Sequence, residues 1–193
     1  MASAVKILAF AGSMRAGSFN KKLVKLGAAA AERAGAQVTL LELRDLALPL
    51  YDGDAEQQQG LPAGARQLKE LMIANDGFLI SSPEYNSGIS GVLKNAIDWA
   101  SRPEPGEKSL AAFAGKVVAL MSASPGAFGG LRGLANVRAI LGNIKVLVLP
   151  EQVTIAKANE AFNPDGSLKS ESQQRSVEEV TGHLVQVLEK LKA

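Results

Sequence analysis

Residues 12–20 hold the side chains best suited to chemistry in this sequence, in the order Gly-Ser-Met-Arg-Ala-Gly-Ser-Phe-Asn. Serine hydroxyls and the Arg15 guanidinium donate hydrogen bonds to phosphate oxygens, and the N–H groups of a helix starting near Asn20 favour an anion. The two glycines let the backbone turn and approach a ligand closely. Residues 1–31 contain five Lys or Arg and no Asp or Glu, so a phosphate meets no repulsion from its sequence neighbours. This stretch predicts a phosphate-binding loop.

Two other phosphate-binding patterns fit the loop less well. A P-loop places Lys-Ser or Lys-Thr after its second glycine, whereas Ser-Phe follows Gly17 here. The dinucleotide fingerprint needs a glycine where this chain has Met14, although Glu42 suits the ribose-binding acid of that fold. A plain Ser- and Gly-rich connector, with Asn20 as an ordinary helix N-cap, is the third alternative.

A second polar loop, Ser-Ser-Pro-Glu-Tyr-Asn-Ser-Gly at residues 81–88, directly follows the third apolar run. Pro83 stiffens such a loop, the N–H groups after it suit the polar edge of a bound ring, and Tyr85 offers an aromatic surface. Glu84 is alternatively a general acid or base, although no carboxylate partner lies near it in sequence. A simple loop and helix cap is the remaining interpretation.

The elements that position these loops alternate between two kinds of segment. Continuous apolar runs, typical of strands buried on both faces, predict strands at 5–11, 38–43, 77–80, 117–121 and 144–149. Helical spacing predicts helices at 20–34, 63–74, 90–100, 130–141 and 170–191. Alternation of strands with helices implies right-handed crossovers, so we predict an α/β fold with a flavodoxin-like, doubly wound five-stranded parallel sheet in the order 2-1-3-4-5.

In this order, strands one and three are neighbours from which the chain departs in opposite directions, opening a crevice at their carboxyl ends. Both polar loops follow these strands, so we expect them to line one cleft. The chain has no internal repeat or linker, which predicts a single domain over residues 1–193. Surface loops are expected at 50–62, 102–109 and 157–169, the last with a turn at 163–166.

Composition limits the remaining classes of function. A net charge of +2 from scattered Lys and Arg gives no reason to expect nucleic acid as a partner. The absence of cysteine excludes disulfides and thiolate metal sites, so redox chemistry requires a bound cofactor, and it fits a cytoplasmic protein. The single histidine, His183, excludes a histidine-rich metal site and is expected to face solvent or cap the last helix. The apolar run at 7–11 is too short for a signal peptide or membrane span, so no membrane contact is expected.

Both polar loops carry recognisable motifs. Residues 12–20 match the pattern Gly-Ser-x-Arg-x-x-Ser-x-Asn, and Pro-Glu-Tyr-Asn at 83–86 is followed by Gly-Val-Leu-Lys-Asn-Ala-Ile-Asp-Trp at 91–99. Together they resemble the two signatures of the NADPH-dependent FMN reductase family, which includes bacterial chromate and quinone reductases and related azoreductases. The similarity in element order covers nearly the whole chain.

The resemblance implies bound FMN, NADPH or NADH as electron donor, and a homodimer or homotetramer. Around the phosphate and ribityl chain it places Ser13, Arg15, Ser18, Phe19 and Asn20. Along the flavin ring it places Pro83, Glu84, Tyr85 and Asn86. Ser124, after the fourth strand, is expected on the other side of the ring.

The implied reaction is hydride transfer from NAD(P)H to flavin N5 and then to a small-molecule acceptor, in ping-pong order and without a catalytic side chain. A quinone, an azo compound, chromate and free flavin are the candidate acceptors. The alternative is a flavodoxin-like electron carrier or a flavin-binding regulatory module without turnover. Carriers of this fold are usually strongly acidic, unlike this chain. A flavin-free binding domain of the same fold is a third possibility.

Further expectations concern residues beside the loops. Leu93, Ile97 and Trp99 either pack across a subunit boundary, as the resemblance implies, or face the sheet. Arg102 either meets the cofactor phosphate or an anionic acceptor, or is a solvated surface residue. By the same resemblance, segment 102–114 is expected to border the site and to influence the choice of acceptor.

Overall fold

The computed structural model describes residues 3–192. Its main sheet is built from β1 (Lys6–Ala11), β2 (Gln37–Leu41), β3 (Gly77–Ser81), β6 (Val117–Ala123) and β7 (Leu147–Ile155). A separate antiparallel hairpin is formed by β4 (Glu84–Tyr85) and β5 (Gly88–Ile89). The five strands of the main sheet are parallel and run in the order β2-β1-β3-β6-β7, which confirms the predicted flavodoxin-like topology.

Helices connect the strands and cover the sheet. They are α1 (Phe19–Arg33), α2 (Gly53–Gln59), α3 (Ala63–Ala74), α4 (Gly91–Ala100), α5 (Leu131–Asn143), α6 (Ala158–Ala161) and α7 (Glu171–Lys192), with a short 3-10 helix at Leu43–Leu46. Within residues 3–192, no helix combines the length and the apolar character needed to cross a membrane.

The sheet is buried on both faces, by different helices. Ile7 and Ala9 of β1 lie in the layer that contains α1 and α7, whereas Leu8 and Phe10 lie in the layer that contains α3, α4 and α5. Every residue of β3 and β6 is buried. Burial on two faces favours apolar side chains at every position, which is why these strands form continuous apolar runs in the sequence. The parallel arrangement then brings the loops after β1, β3 and β6 to one edge.

Two of the three predicted surface loops contain helices. The loop prediction for 50–62 was wrong, because α2 occupies most of it, with Asp52 as N-cap accepting a hydrogen bond from the Asp54 N–H (2.9 Å). None of the residues of α2 is buried, so its sequence has no apolar periodicity to indicate a helix. The 157–169 region contains the four-residue α6. The hairpin of β4 and β5 was not predicted either.

The last strand was predicted at 144–149 but is observed as β7, shifted toward the C-terminus. Pro150 reads in the sequence as the end of a strand, because proline cannot donate a ladder hydrogen bond. β7 is an edge strand, however, and edge strands tolerate proline at an irregularity.

That irregularity is a bulge in β7. The register between β6 and β7 shifts between Val118 and Leu120, so β7 contains extra residues at this point. The Arg138 guanidinium of α5 donates hydrogen bonds to the carbonyls of Leu149 (2.7 Å) and Pro150 (3.3 Å). The bulge is therefore held by a specific side chain.

Candidate functional site

The carboxyl ends of β1, β3 and β6 surround one pocket. Nine of the ten predicted site residues line it: Ser13, Arg15, Ser18, Phe19, Asn20, Pro83, Glu84, Tyr85 and Ser124. Ala123 and Pro125 complete the lining. The tenth predicted residue, Asn86, lies at the tip of the β4–β5 hairpin. The two polar loops thus meet in one cleft, as the adjacency of β1 and β3 predicts.

Gly12 joins the two loops. Its N–H donates to the Ser81 carbonyl (2.9 Å), and its own carbonyl accepts a hydrogen bond from the Ser90 hydroxyl (2.7 Å) at the start of α4. A β-carbon added at Gly12 would lie 2.9 Å from the Leu93 β-carbon and 3.3 Å from Pro83 Cδ. This glycine is therefore required for close packing between the loops, where the sequence had suggested a tight turn.

Helix α1 begins at Phe19, one residue earlier than predicted, with Ser18 as its N-cap residue. Asn20 is therefore not the helix cap that the connector alternative assigned to it. The Ser18 side chain makes no capping hydrogen bond and lines the pocket, so its hydroxyl can meet a ligand.

The backbone of the first loop has occupied carbonyls and free amides. The Arg15 carbonyl accepts from the Ser18 N–H (3.3 Å), and the Met14 carbonyl accepts from Arg44. Among the described residues, no acceptor is found for the amides of Met14, Ala16, Gly17, Phe19 and Asn20. Unpaired N–H groups beside a helix N-terminus make an environment that favours a negatively charged ligand.

Asn20 is a buried structural bridge as well as a lining residue. Its side chain is 3% exposed; Nδ2 donates to the Ala123 carbonyl (2.8 Å), and Oδ1 accepts from the Ala123 N–H (3.0 Å) and the Ser81 hydroxyl (2.9 Å). One amide group thus ties α1 to β3 and β6. Because all three bonds are buried, the first loop is fixed relative to the sheet.

The second loop projects the β4–β5 hairpin beside the pocket. Asn86 and Ser87 have φ angles of 51° and 63°, and two successive left-handed residues are typical of a type I′ turn. Tyr85 precedes this turn, lines the pocket and is 49% exposed. The hairpin therefore holds an aromatic side chain at the rim of the cleft.

Glu84 anchors the hairpin to α5. One carboxylate oxygen accepts from the Gly133 N–H (2.9 Å), and the other lies 3.2 Å from Arg132 Nη2. A β-carbon at Gly133 would lie 3.1 Å from the Glu84 β-carbon, so glycine permits this close approach. The first turn of α5 favours the negative charge. Both carboxylate oxygens are thus engaged with the start of α5, which favours an anchoring role for Glu84 over the general acid or base alternative.

The loop after β6 forms the third wall. The Ser124 N–H donates to the Ile155 carbonyl (3.0 Å), and the Ser124 carbonyl accepts from the Ala158 N–H (3.0 Å), so β7 and α6 fix its position. Pro125, which the site prediction missed, is exposed and gives this wall an apolar surface. Glu84 is the acidic residue of the lining, and it is paired with Arg132, whereas Arg15 is exposed.

Leu93, Ile97 and Trp99 do not form a subunit surface. Their exposed fractions are 0%, 6% and 2% within the single chain, so the subunit-boundary prediction is wrong for them. Leu93 and Ile97 face the sheet, as the alternative had it. Trp99 instead packs in a separate cluster with its ring 5.0 Å from that of Tyr51.

Arg102 and the segment that follows it lie apart from the pocket lining. The Arg102 guanidinium lies over the Tyr51 ring (5.5 Å) and donates to the Asp98 carbonyl (3.2 Å). Buried Lys69 donates to the Arg102 carbonyl (2.7 Å) and pairs with Glu107, whose pKa it holds below the ordinary value. The expectations that Arg102 meets a phosphate and that 102–114 borders the site are therefore not met within one chain.

His183, the single histidine of the chain, lies on α7 with its side chain 40% exposed, as expected for a solvent-facing position. Its Nδ1 lies 3.0 Å from Glu151 Oε2 at the β7 bulge.

Comparison with known proteins gives consistent matches. The family model of NADPH-dependent FMN reductases matches residues 5–160. An NAD(P)H-dependent FMN reductase of Pseudomonas aeruginosa is 36% identical over 183 residues, covering 93% of this chain and 92% of the relative. A quinone reductase of Escherichia coli K12 is 35% identical over 151 residues, covering 77% and 76%. The solved flavoenzyme NAD(P)H:(acceptor) oxidoreductase of Paracoccus denitrificans superposes with a TM-score of 0.79 at 30% identity, covering 97% of this chain and 98% of that one.

Proposed function

Because the chain belongs to the NADPH-dependent FMN reductase family, we propose that it is an NAD(P)H-dependent flavoenzyme, one FMN-binding domain that passes electrons to quinones. Azo compounds, chromate and free flavin are the other acceptors in this proposal. The observation that carries it is the chemical gradient across one pocket. Hydrogen-bond donors and Arg15 lie on the β1 side, and the apolar surfaces of Pro83, Tyr85 and Pro125 lie on the β3 and β6 side. FMN has the same division between phosphate and ring.

At the β1 side, the residues present fit a phosphate. The hydroxyls of Ser13 and Ser18 and the guanidinium of Arg15 would donate to its oxygens, together with free amides at the start of α1. Ser13 and Ser18 are only 4% and 6% exposed, so their hydroxyls are held where water competes little. Phe19 would lie beside the sugar-like chain, with its other face stacked on Phe162 at 5.9 Å.

At the β3 and β6 side, the residues fit a flat ring. Pro83 and Pro125 would border the ring, and Tyr85 would contact it from the hairpin. Bound FMN supplies hydride acceptance from NAD(P)H and hydride donation to the acceptor. The protein's part is to orient the ring, to leave one face accessible and to place backbone donors near its polar edge. None of its side chains is assigned a nucleophilic role in this proposal.

The electron-carrier alternative has less support. The relatives found are named as reductases, and the formal net charge of +2 differs from the strongly acidic character that suits docking of a carrier to basic partners.

A homodimer or homotetramer in the cytoplasm is part of the proposal. Phe128 and Leu131, beside the site, have exposed fractions of 60% and 45%, and such exposed apolar side chains support self-association. Light scattering of the protein as it leaves a size-exclusion column will measure the mass of the oligomer.

The decisive experiment is spectroscopic. Protein reconstituted with FMN should absorb near ~450 nm, lose this band on anaerobic addition of NADPH and regain it when a quinone is added. Loss of the band without recovery by any of the four acceptor types would favour the carrier. A protein that retains no flavin after reconstitution would overturn the proposal.

Replacing Arg15 by Ala tests the orientation of the ligand. FMN affinity should fall about thirtyfold, because a charge-assisted hydrogen bond to phosphate is lost, whereas riboflavin affinity should be unchanged. Equal losses for the two ligands would remove Arg15 from the phosphate end.

A further inference from the structure

We propose that Arg44 is a positioning residue for the phosphate-binding loop, acting through the peptide bond between Met14 and Arg15. In this role Arg44 touches neither the cofactor nor the acceptor. It keeps the Arg15 N–H turned toward the Ser13 hydroxyl by holding the Met14 carbonyl on the opposite side of the peptide. The inference rests on the proposed FMN site and assigns a function to a residue outside the pocket lining.

The contact is specific. Arg44 lies in the 3-10 helix after β2, and its Nε and Nη2 both donate to the Met14 carbonyl, at 3.1 and 2.6 Å. Two donors of one planar guanidinium on one oxygen fix the direction of that carbonyl better than a single bond does. Beside it, Lys21 of α1 pairs with Glu42, so two side-chain contacts join the first loop and helix to the end of β2.

Peptide geometry transmits this contact to the pocket. In a trans peptide, the carbonyl and the following N–H point in opposite directions. With the Met14 carbonyl directed toward Arg44, the Arg15 N–H is directed toward Ser13 Oγ (3.4 Å), and Ser13 is a buried lining residue. The next carbonyl, that of Arg15, is occupied by the Ser18 N–H. Arg44 and the Ser18 N–H therefore hold two successive carbonyls of the loop, those of Met14 and Arg15.

Without Arg44, the Met14 carbonyl loses its two external hydrogen-bond donors and the 14–15 peptide is free to rotate. Rotation turns a carbonyl oxygen toward the phosphate oxygens, where like partial charges repel, and breaks the contact between the Arg15 N–H and the Ser13 hydroxyl. The variant therefore binds the phosphate group more weakly, while its contacts with the ring are unchanged. A positioning role thus predicts a change in the ratio of FMN to riboflavin affinity.

A second explanation, a general electrostatic effect, needs a matched control. Arg44 lines an open groove with Lys21, Lys22 and Lys25, and any of these cations attracts a phosphate at long range. Lys25 is a suitable control because it lies in the same groove and no ion pair or side-chain hydrogen bond joins it to another described residue. Removing Lys25 changes the charge by the same amount while leaving the Met14 carbonyl held.

The experiment titrates apo protein with FMN and with riboflavin. Arg44→Ala should raise the FMN dissociation constant about tenfold and the riboflavin constant less than about twofold. Arg44→Gln, which retains most of the side-chain stem, should behave like Arg44→Ala and replaces it if that variant unfolds. Arg44→Lys, with one remaining donor group, should recover part of the FMN affinity. Lys25→Ala should change either constant by less than about twofold.

Other outcomes overturn the inference. Equal losses of FMN and riboflavin affinity in Arg44→Ala would mean a general structural role. Equal FMN losses in Arg44→Ala and Lys25→Ala, both abolished by salt, would mean a field effect. Equal affinities of the wild-type protein for riboflavin and FMN would contradict the existence of the phosphate site itself. Binding of neither ligand by the wild type would overturn the proposed function along with the inference.

Discussion

The two loops that meet in the pocket are held in different ways. The first loop is fixed from within: Asn20 joins α1 to β3 and β6 through three buried hydrogen bonds, and Gly12 packs directly on α4. The second loop projects an exposed two-residue turn that is anchored from outside, where Glu84 meets the start of α5. The difference suggests a division of labour. In the proposed flavoenzyme, the loop at the phosphate end is held by buried hydrogen bonds, whereas the position of Tyr85 at the ring end depends on a few contacts near the surface.

The largest expected effect comes from the buried bridge. Asn20→Ala leaves the Ser81 hydroxyl and both backbone groups of Ala123 without their partner, so the apo protein should lose about 3 kcal/mol of unfolding free energy. Urea denaturation measures this loss. Asn136→Ala is the comparison on the hairpin side, because its exposed amide donates to the Arg132 carbonyl (2.9 Å) and to the Ser87 carbonyl in the turn (3.4 Å), and it should cost less than about 0.5 kcal/mol. Similar losses in the two variants would contradict the contrast between the loops.

Breaking the external anchor should have a smaller and different effect. Glu84→Gln removes a charge held by the Gly133 N–H and Arg132, so stability should fall by about 1.5 kcal/mol. Because the proposed function puts the flavin ring beside the hairpin, FMN and riboflavin affinities should fall together, unlike the phosphate-selective loss expected for Arg15→Ala. Arg132→Met, which keeps the bond to Gly133, should give a smaller effect on both. A loss restricted to FMN would show that the hairpin serves the phosphate end.

The turn of the hairpin offers a stabilising change. Ser87 has a φ of 63°, which costs a residue with a side chain more than glycine, and Asn-Gly is the preferred pair for a type I′ turn. Ser87→Gly should therefore stabilise the protein by about 0.5 kcal/mol, a gain that urea denaturation detects. Gly17→Ala is a suitable comparison in the first loop, because a β-carbon there meets no atom within 4 Å. Destabilisation by Ser87→Gly would show that the positive φ of Ser87 does not lower the stability of the hairpin.

The smallest effect is expected far from both loops, at Asp76. Burial raises the pKa of Asp76, but this effect is outweighed. Hydrogen bonds from the Lys192 ammonium (2.6 Å) and the Lys6 N–H (2.7 Å), together with the charges of Lys192 and Lys116, bring the pKa below its ordinary value. A lowered pKa means that the ionised group stabilises the fold above about pH 4 and that this contribution is lost as the pH falls through the folded-state pKa.

Asp76→Asn should therefore cost less than about 0.5 kcal/mol at pH 7, and its difference from the wild type should shrink in acid. Denaturation curves at several pH values measure this difference, and FMN affinity should not change. A difference that grows in acid would have the wrong sign for this account.

Patterns that depend on burial could be predicted from the sequence. The continuous apolar runs of β1, β3 and β6 follow from burial on two faces, and the meeting of the two loops follows from strand order alone. The polar α2 could not be found in this way, because none of its residues is buried. Pro150 misled the prediction of β7, because the sequence does not show that this strand lies at the edge of the sheet.

At the site, short motifs predicted residues that line the pocket but gave less information about their contacts. The sequence identified Asn20 and Glu84, yet the bridge to Ala123 and the pairing with Arg132 join residues far apart in the chain. Arg44 carried no signal, because its contact with Met14 spans 30 residues and depends on the end of β2. Likewise, Leu93 and Ile97 were ambiguous until the sheet was seen to cover them.

The bulge in β7 also bears on how this protein behaves in concentrated solution. A regular outer strand exposes a row of unpaired backbone groups on which the strand of another molecule can assemble, the first step toward aggregation. Here, Pro150 lacks a donor, the Arg138 guanidinium occupies two carbonyls, and the polar side chains of Glu151 and His183 lie beside the same segment. Together these features interrupt the template at the middle of the longest strand of the sheet, so the irregularity that obscured β7 in the sequence also protects the folded chain from edge-to-edge association.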